Sequence, residues 1–86
     1  MEKFSAIRRL ARLNGVDELT SAEAVPAMLP TTLVARICGC SKDTVRRWVL
    51  RGQVTAFRMG WFLIERDSLE VHLARTFVDA QKDQAA

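Results

Sequence analysis

Thr31-Thr32-Leu33-Val34-Ala35-Arg36-Ile37-Cys38-Gly39-Cys40-Ser41-Lys42-Asp43-Thr44-Val45-Arg46-Arg47-Trp48-Val49-Leu50-Arg51-Gly52 is the stretch whose reading decides the fold. It reads as two short helices joined by a tight turn. Thr31 or Thr32 is suited to cap the first helix, because a side-chain hydroxyl can accept from the free N–H groups of an opening turn. Leu33, Val34 and Ile37 recur at helical spacing and form its apolar face. Gly39 ends it, since glycine enters the left-handed region without a Cβ penalty. Ser41 then caps a second helix, which carries Val45, Trp48 and Val49 on one side and stops at Gly52.

A helix pair of this length most often lays its second helix in the major groove of DNA. On a projection of about 100° per residue, Val45, Trp48 and Val49 cluster. Asp43, Arg47 and Leu50 point away from them, and Arg46 and Arg51 flank that outer stripe. Arginine suits such a face because its planar fork matches guanine O6/N7 and phosphate. Asp43 and Arg47 are the expected base-facing residues, with Arg46 and Arg51 at the groove edges. Ser41, Lys42 and Thr44 stand at the helix N-terminus, where backbone and hydroxyl donors meet phosphate.

Thr32 to Val54 resembles the opening of the small MerR-like and excisionase-like winged-helix domains. The likeness lies in a threonine-led first helix, the Gly39-Cys40-Ser41 turn, the Thr44-Val45-Arg46-Arg47-Trp48 core and the Arg51-Gly52 ending. It continues through Ala56-Phe57-Arg58-Met59-Gly60 and Ile64-Glu65-Arg66-Asp67-Ser68-Leu69, so that it spans residues 31 to 75. The resemblance implies a mainly α chain with a small β-hairpin: a winged helix-turn-helix over 31–79, preceded here by an extra N-terminal helix and connector over 1–30. Residues 80–86 read as a fraying tail.

Composition sets the outer limits. Eighty-six residues make one domain, and a chain this short has a modest core. Apolar residues are 49% of the sequence, enough for that core and too many for disorder. No apolar run approaches the roughly 18 residues of a transmembrane helix. Met1-Glu2-Lys3-Phe4 does not lead into an apolar run, so no secretory signal and a cytoplasmic location are expected. The net charge of +3 is unevenly spread: residues 1–30 sum to zero, 31–66 to +5 and 67–86 to −2. An excess of cations on the helix pair and the segment after it is the footprint of a phosphate-facing module.

Cys38 and Cys40 form Cys-x-Cys. A zinc site needs two further soft ligands, and His72 is the only histidine. A disulfide between residues two apart is strained and out of place in a reducing compartment. Both cysteines therefore read as small core hydrophobes, and no metal or cofactor is expected. In the resembling domains the Cys40 position is an apolar turn residue, often valine.

Along the rest of the chain, residues 3–13 read as an amphipathic helix with Phe4, Ile7, Leu10 and Ala11 on one side and Arg8, Arg9 and Arg12 on the other. That helix could be a basic arm, a subunit contact or simply a packed helix with a solvated face. Asn14-Gly15 stops it. Residues 16–30 read as a connector with one or two helical turns, with Thr20 and Glu23 matching a capping box. Pro26 and Pro30 disfavour helix immediately before them, and Met28 and Leu29 anchor the connector. Gln53–Arg58 and Trp61–Ile64 read as two strands of a hairpin around Met59-Gly60.

In the resembling domains the hairpin tip is often basic. Here Trp61-Phe62 follow the glycine instead and the tip is about one residue shorter. Arg58 is the only cation beside the turn. That argues against deep minor-groove insertion and leaves a single phosphate or minor-groove contact from Arg58. A period of two cannot bury Trp61, Phe62, Leu63 and Ile64 together. Either Trp61 with Leu63 or Phe62 with Ile64 is the less buried face. Asp67 is expected to cap a final helix from Ser68 to about Asp79, with Leu69, Leu73, Phe77 and Ala80 on the core and His72 at its edge. Val71 and Val78, one heptad apart, suggest either a partner stripe or two scattered valines.

No catalytic constellation is present. There is no tyrosine, so the chain cannot be a tyrosine recombinase, and there is no glycine-rich phosphate loop. The leading expectation is a protein that binds double-stranded DNA. The resemblance implies an excisionase, or recombination directionality factor, that bends attachment-site DNA for a tyrosine integrase. The runner-up is a small phage-type or MerR-like transcriptional regulator. It would self-associate through the N-terminal helix or Val71/Val78 on a palindrome. A third reading is an adaptor that uses the same fold to contact protein.

Overall fold

Alternating apolar and charged residues at helical spacing build helix α1 (Ser5–Leu13), which buries Ala6, Ile7, Leu10 and Ala11. The computed structural model describes residues 3–19 and 21–78. After α1 come a single 3₁₀ turn (Ala22–Ala24), strand β1 (Met28–Pro30), helix α2 (Thr31–Cys38) and helix α3 (Lys42–Leu50). Strands β2 (Ala56–Met59) and β3 (Trp61–Glu65) follow, then helix α4 (Arg66–Leu73), which runs into one π turn (Ala74–Val78). The chain is mainly helical, with one antiparallel three-stranded sheet in the order β1-β3-β2. Thr20, the side chains of Phe77 and Val78, Ala80 and the 80–86 tail lie outside the described residues, as do the roles assigned to them above. No helix among the described residues is long and apolar enough to cross a membrane.

One core joins all of these elements. Ile7 of α1, Leu29 of β1, Val34 and Ile37 of α2, Val45 of α3, Ile64 of β3 and Leu69 and Leu73 of α4 are all sealed from solvent. Residues before Thr31 therefore share their apolar interior with those after it. Trp48 and Val49 pack at its margin.

Gly39 and Ser41 do the local work expected of them. Gly39 closes α2 at φ +65°, and a Cβ there would lie 2.7 Å from Asn14 Oδ1. The position thus needs glycine for both conformation and space. Asn14 sits so close because its Nδ2 donates to Leu10 O (3.0 Å) and to Ile37 O (2.8 Å), tying the C-terminal ends of α1 and α2 together. Ser41 caps α3 by accepting from the Thr44 N–H at 3.2 Å.

Several local expectations give way to longer-range partners. Neither Thr31 nor Thr32 caps α2. Pro30 occupies the cap position, and the Thr31 hydroxyl donates to Phe62 O across the sheet (3.3 Å). Asp67 does not cap the last helix, which begins at Arg66 directly after β3, with Glu65 in the cap position. Ser68 lies inside that helix. It accepts from the Thr55 N–H at 2.9 Å and donates to Glu65 O at 3.0 Å. The connector contains β1 as well as its 3₁₀ turn. Leu29 pairs with Ile64 and Pro30 with Leu63. Proline is tolerated there because β1 is an edge strand. On β3 the inward pair is Ile64 with half-buried Phe62, so Trp61 and Leu63 form the less buried face.

Helix α1 brings no cap of its own. Phe4 before it is left-handed (φ 57°), and its first turn holds no acidic residue. Glu70 of α4 supplies the acceptors instead. Its two carboxylate oxygens each accept one backbone N–H, from Ala6 and Ile7, at 2.9 Å. A carboxylate at a helix N-terminus also meets the positive end of the helix dipole. Glu70→Ala should therefore lower unfolding stability by about 2 kcal/mol, the scale of charge-assisted hydrogen bonds lost from part-buried donors. Urea titration measures it, and faster amide exchange at Ala6 and Ile7 locates it. A variant as stable as the wild type would remove Glu70 from this role.

Candidate functional site

The outer surface of α3 carries the candidate residues, and the fold sorts them onto two flanks. Ser41 is the N-cap, and its hydroxyl also shares a hydrogen bond with the Thr44 hydroxyl (3.1 Å). On one flank, Lys42, Asp43, Arg46 and Leu50 face the β2–β3 hairpin across a groove of about 680 Å³. Arg58, Gly60, Trp61 and Phe62 form the far wall, with Thr31 and Thr32 at one end. On the other flank, Thr44, Arg47 and Arg51 line a second hollow with Trp48, Gln53, His72 and Thr76. Asp43, Arg46, Arg47, Arg51 and Arg58 are all exposed. Arg58 is thus brought to Lys42 and Arg46, while Arg47 and Arg51 lie on the opposite side of the helix from it.

Not every cation in the basic segment belongs to this surface. Arg66 is used internally. Its Nη1 donates to Val25 O (3.1 Å), and its guanidinium lies 4.4 Å from the centre of the Phe4 ring. Arg36 pairs with Glu18 at 3.5 Å. Among the described residues, no ion pair engages Lys42, Arg46, Arg47 or Arg51. Arg58 stands 6.0 Å from the Phe62 ring centre. Asp43 is the one acid lining either hollow. The surface around α3 therefore presents uncompensated positive charge, and such a field attracts and steers polyanions.

Apolar residues are part of the same surface. Leu50 is 74% exposed, Trp61 67% and Met59 70%. The outward direction of Leu50 follows from the helical projection. The joining of Trp61 to the α3 groove does not, because it depends on how the hairpin sits against the helix.

Cys38 and Cys40 are free thiols. Burial, with the adjacent Cys40, pushes the Cys38 thiol up to about 12, and burial also raises Cys40. Both therefore stay protonated at neutral pH. Among the described residues no group of three His, Cys, Asp or Glu side chains could hold a metal ion.

His72 is more buried than an edge position implies. It is 7% exposed, and its ring meets Trp48 edge-on with centroids 4.5 Å apart. Among the described residues its Nε2 is buried without a hydrogen-bond partner. Burial lowers its pKa below the usual 6.5, so the neutral ring is the folded form. Comparison with family models, with curated proteins and with solved structures gives no match.

The sign of the His72 effect follows from the lowered value. An unfolded chain binds this proton more readily, so the stabilising contribution is full above about pH 6.5 and is lost as pH falls toward the folded value. Urea midpoints measured between about pH 7 and pH 5 should fall for the wild type and stay flatter for His72→Phe, which keeps an aromatic ring against Trp48. Equal slopes in the two proteins would remove His72 as the source.

Proposed function

We propose that the protein is a sequence-specific DNA-binding protein whose α2–turn–α3 pair and β2–β3 hairpin act as a winged helix-turn-helix. The observation that carries this reading is the set of exposed, unpaired cations on α3 together with Arg58 on the facing hairpin. Helix α3 lies in the major groove, with its Asp43–Arg47–Leu50 stripe toward the base edges. Arg46 and Arg51 reach the two bordering backbones. Ser41, Lys42 and Thr44 meet phosphate at the helix N-terminus, where free N–H groups and the dipole favour an anion. Arg58 adds a phosphate or minor-groove contact from the hairpin.

Within this class the sequence resemblance favours an excisionase-like recombination directionality factor. Several copies bind side by side on an attachment site and bend it. The bend brings the arm and core sites of a tyrosine integrase together, and contacts along the curved duplex offset the deformation energy. A second reading, a phage-type or MerR-like regulator working as a dimer, draws on one observation. Val71 is 52% exposed on α4, away from the α3 surface, and is available to a second subunit.

Footprinting on fragments of the protein's own genomic locus, with a bending assay on the bound fragment, tests both. Tandem cooperative protection with a bend supports the excisionase reading. A single symmetric footprint over a promoter with little bending supports the regulator. No protection on any fragment refutes DNA recognition. Arg47→Ala should weaken specific binding by about 1–3 kcal/mol and relax the base preference at one position. Lys42→Ala should weaken binding to all sequences alike and reduce the salt slope by about 1. Equal loss for Arg47→Ala on specific and random duplexes would count against its base-reading role.

A further inference from the structure

The β2–β3 hairpin ends in an apolar tip, with Met59 and Trp61 on either side of Gly60. Gly60 turns the chain at φ +81°, so that Met59 pairs directly with Trp61 and Arg58 with Phe62. Successive residues on a strand face opposite ways. Phe62 and Arg58 therefore share the sheet face that carries buried Ile64, and Met59, Trp61, Phe57 and Leu63 share the other, with Trp61, next to the turn, at the rim of the α3 groove. Met59, Trp61 and Phe57 are 70%, 67% and 51% exposed, and Leu63 is half-buried. Trp61 closes one wall of the cationic groove and also covers a small hollow over Pro30, Thr31 and Thr32. No core position requires these side chains.

We propose that the hairpin tip, which lacks the cations of a basic minor-groove reader, is instead an apolar wedge for DNA: Met59 and Trp61 enter the minor groove beside the α3 contact, open a base step and kink the duplex. The inference rests on the DNA-binding reading and adds to it the residues that produce the bend. The expected occupant follows from charge. The tip is continuous with a groove lined by Lys42, Arg46 and Arg58 and by one acid, Asp43, and that groove complements a polyanion. Proteins that kink DNA insert exposed apolar side chains between base steps from the minor-groove side, flanked by cations on the backbone. A flexible thioether and a flat indole at the end of a two-stranded arm meet that need. Phe57, behind them on the same face, is placed to lie against the minor-groove wall of the bound duplex. Arg58, on the opposite face of β2, remains free for the flanking phosphate.

The wedge is tested on the genomic fragment protected in the footprint, with wild type, Trp61→Ala, Met59→Ala and Trp61→Phe. Far-UV circular dichroism should be unchanged, because Trp61 and Met59 lie outside the core. Trp61→Ala should cut the bend angle by more than half and weaken binding roughly tenfold, as loss of one stacked aromatic does. The slope of log affinity against log salt should stay that of the wild type, since no phosphate contact is removed. Met59→Ala should reduce the bend in the same direction. Tryptophan emission of the wild type should be quenched on binding, and Trp61→Phe, which leaves only Trp48, should abolish that change.

Full bend and full affinity in Trp61→Ala and Met59→Ala, with wild-type emission unchanged on binding or quenched equally in Trp61→Phe, would overturn the wedge while the DNA-binding reading stands. A wild-type protein that binds no duplex would remove the reading itself. Self-association that Trp61→Ala abolishes without altering the bend would assign the tip to a protein contact, and would also overturn the wedge.

Discussion

Glu70 closes the first turn of a helix more than sixty residues upstream, and much of the architecture depends on that reach. Helix α1 starts without a side-chain cap of its own, and α4 brings the carboxylate that accepts two of its opening donors. Once held, it lays Ile7, Leu10 and Ala11 over the core. Its far end then delivers Asn14 to the end of α2, where the amide donates to Ile37 O and packs against Gly39. The turn that sets the direction of α3 is therefore braced from the N-terminal segment. A rigid turn matters for a surface helix, because a recognition surface must be held by its supporting residues.

Charge is divided by use. Arg66 stabilises the junction of β3, α4 and the connector through its hydrogen bond to Val25 O and its contact with Phe4. Arg36 is satisfied by Glu18. Within residues 31–66 the other cations, Lys42, Arg46, Arg47, Arg51 and Arg58, have no ion pair among the described residues and gather around α3 and the hairpin. The net charge of the segment, taken alone, hides this division, because Arg36 and Arg66 stand beside acids outside it, Glu18 at 3.5 Å and Asp67 at 3.6 Å. The hairpin converts a charged helix into a groove by placing Arg58 and Trp61 opposite Lys42 and Arg46. Because β1 pairs along the other edge of β3, the hairpin is the outer part of a three-stranded sheet that packs on the core through Ile64.

Positions whose partners lie within a turn or two were legible from the residues alone. Gly39 stops a helix because of its own backbone freedom, and Ser41 caps the next because its hydroxyl reaches an N–H three residues on. Val45, Trp48 and Val49 face inward by helical periodicity, and the direct turn at Gly60 is local chemistry as well. Positions whose partners are distant were misread by local rules. Thr31 looked like a cap but binds Phe62 O, thirty-one residues away. Ser68 and Asp67 looked like the start of a helix that begins two residues earlier, because β3 enters it without a loop. Strand β1 is three residues ending in proline, too short for any periodicity, and exists only because β3 is there to pair with it.

The same division holds for the surface. Which face of α3 is polar, which residues stand on it and the excess of positive charge over acid were properties of composition and helical period. The split of those residues into two flanks, the recruitment of Arg58 and Trp61 to one of them and of His72 to the other, and the withdrawal of Arg66 into the fold were decided by tertiary packing. Period and propensity act over a few residues. The placement of a hairpin against a helix depends on contacts between segments that only the assembled core brings together.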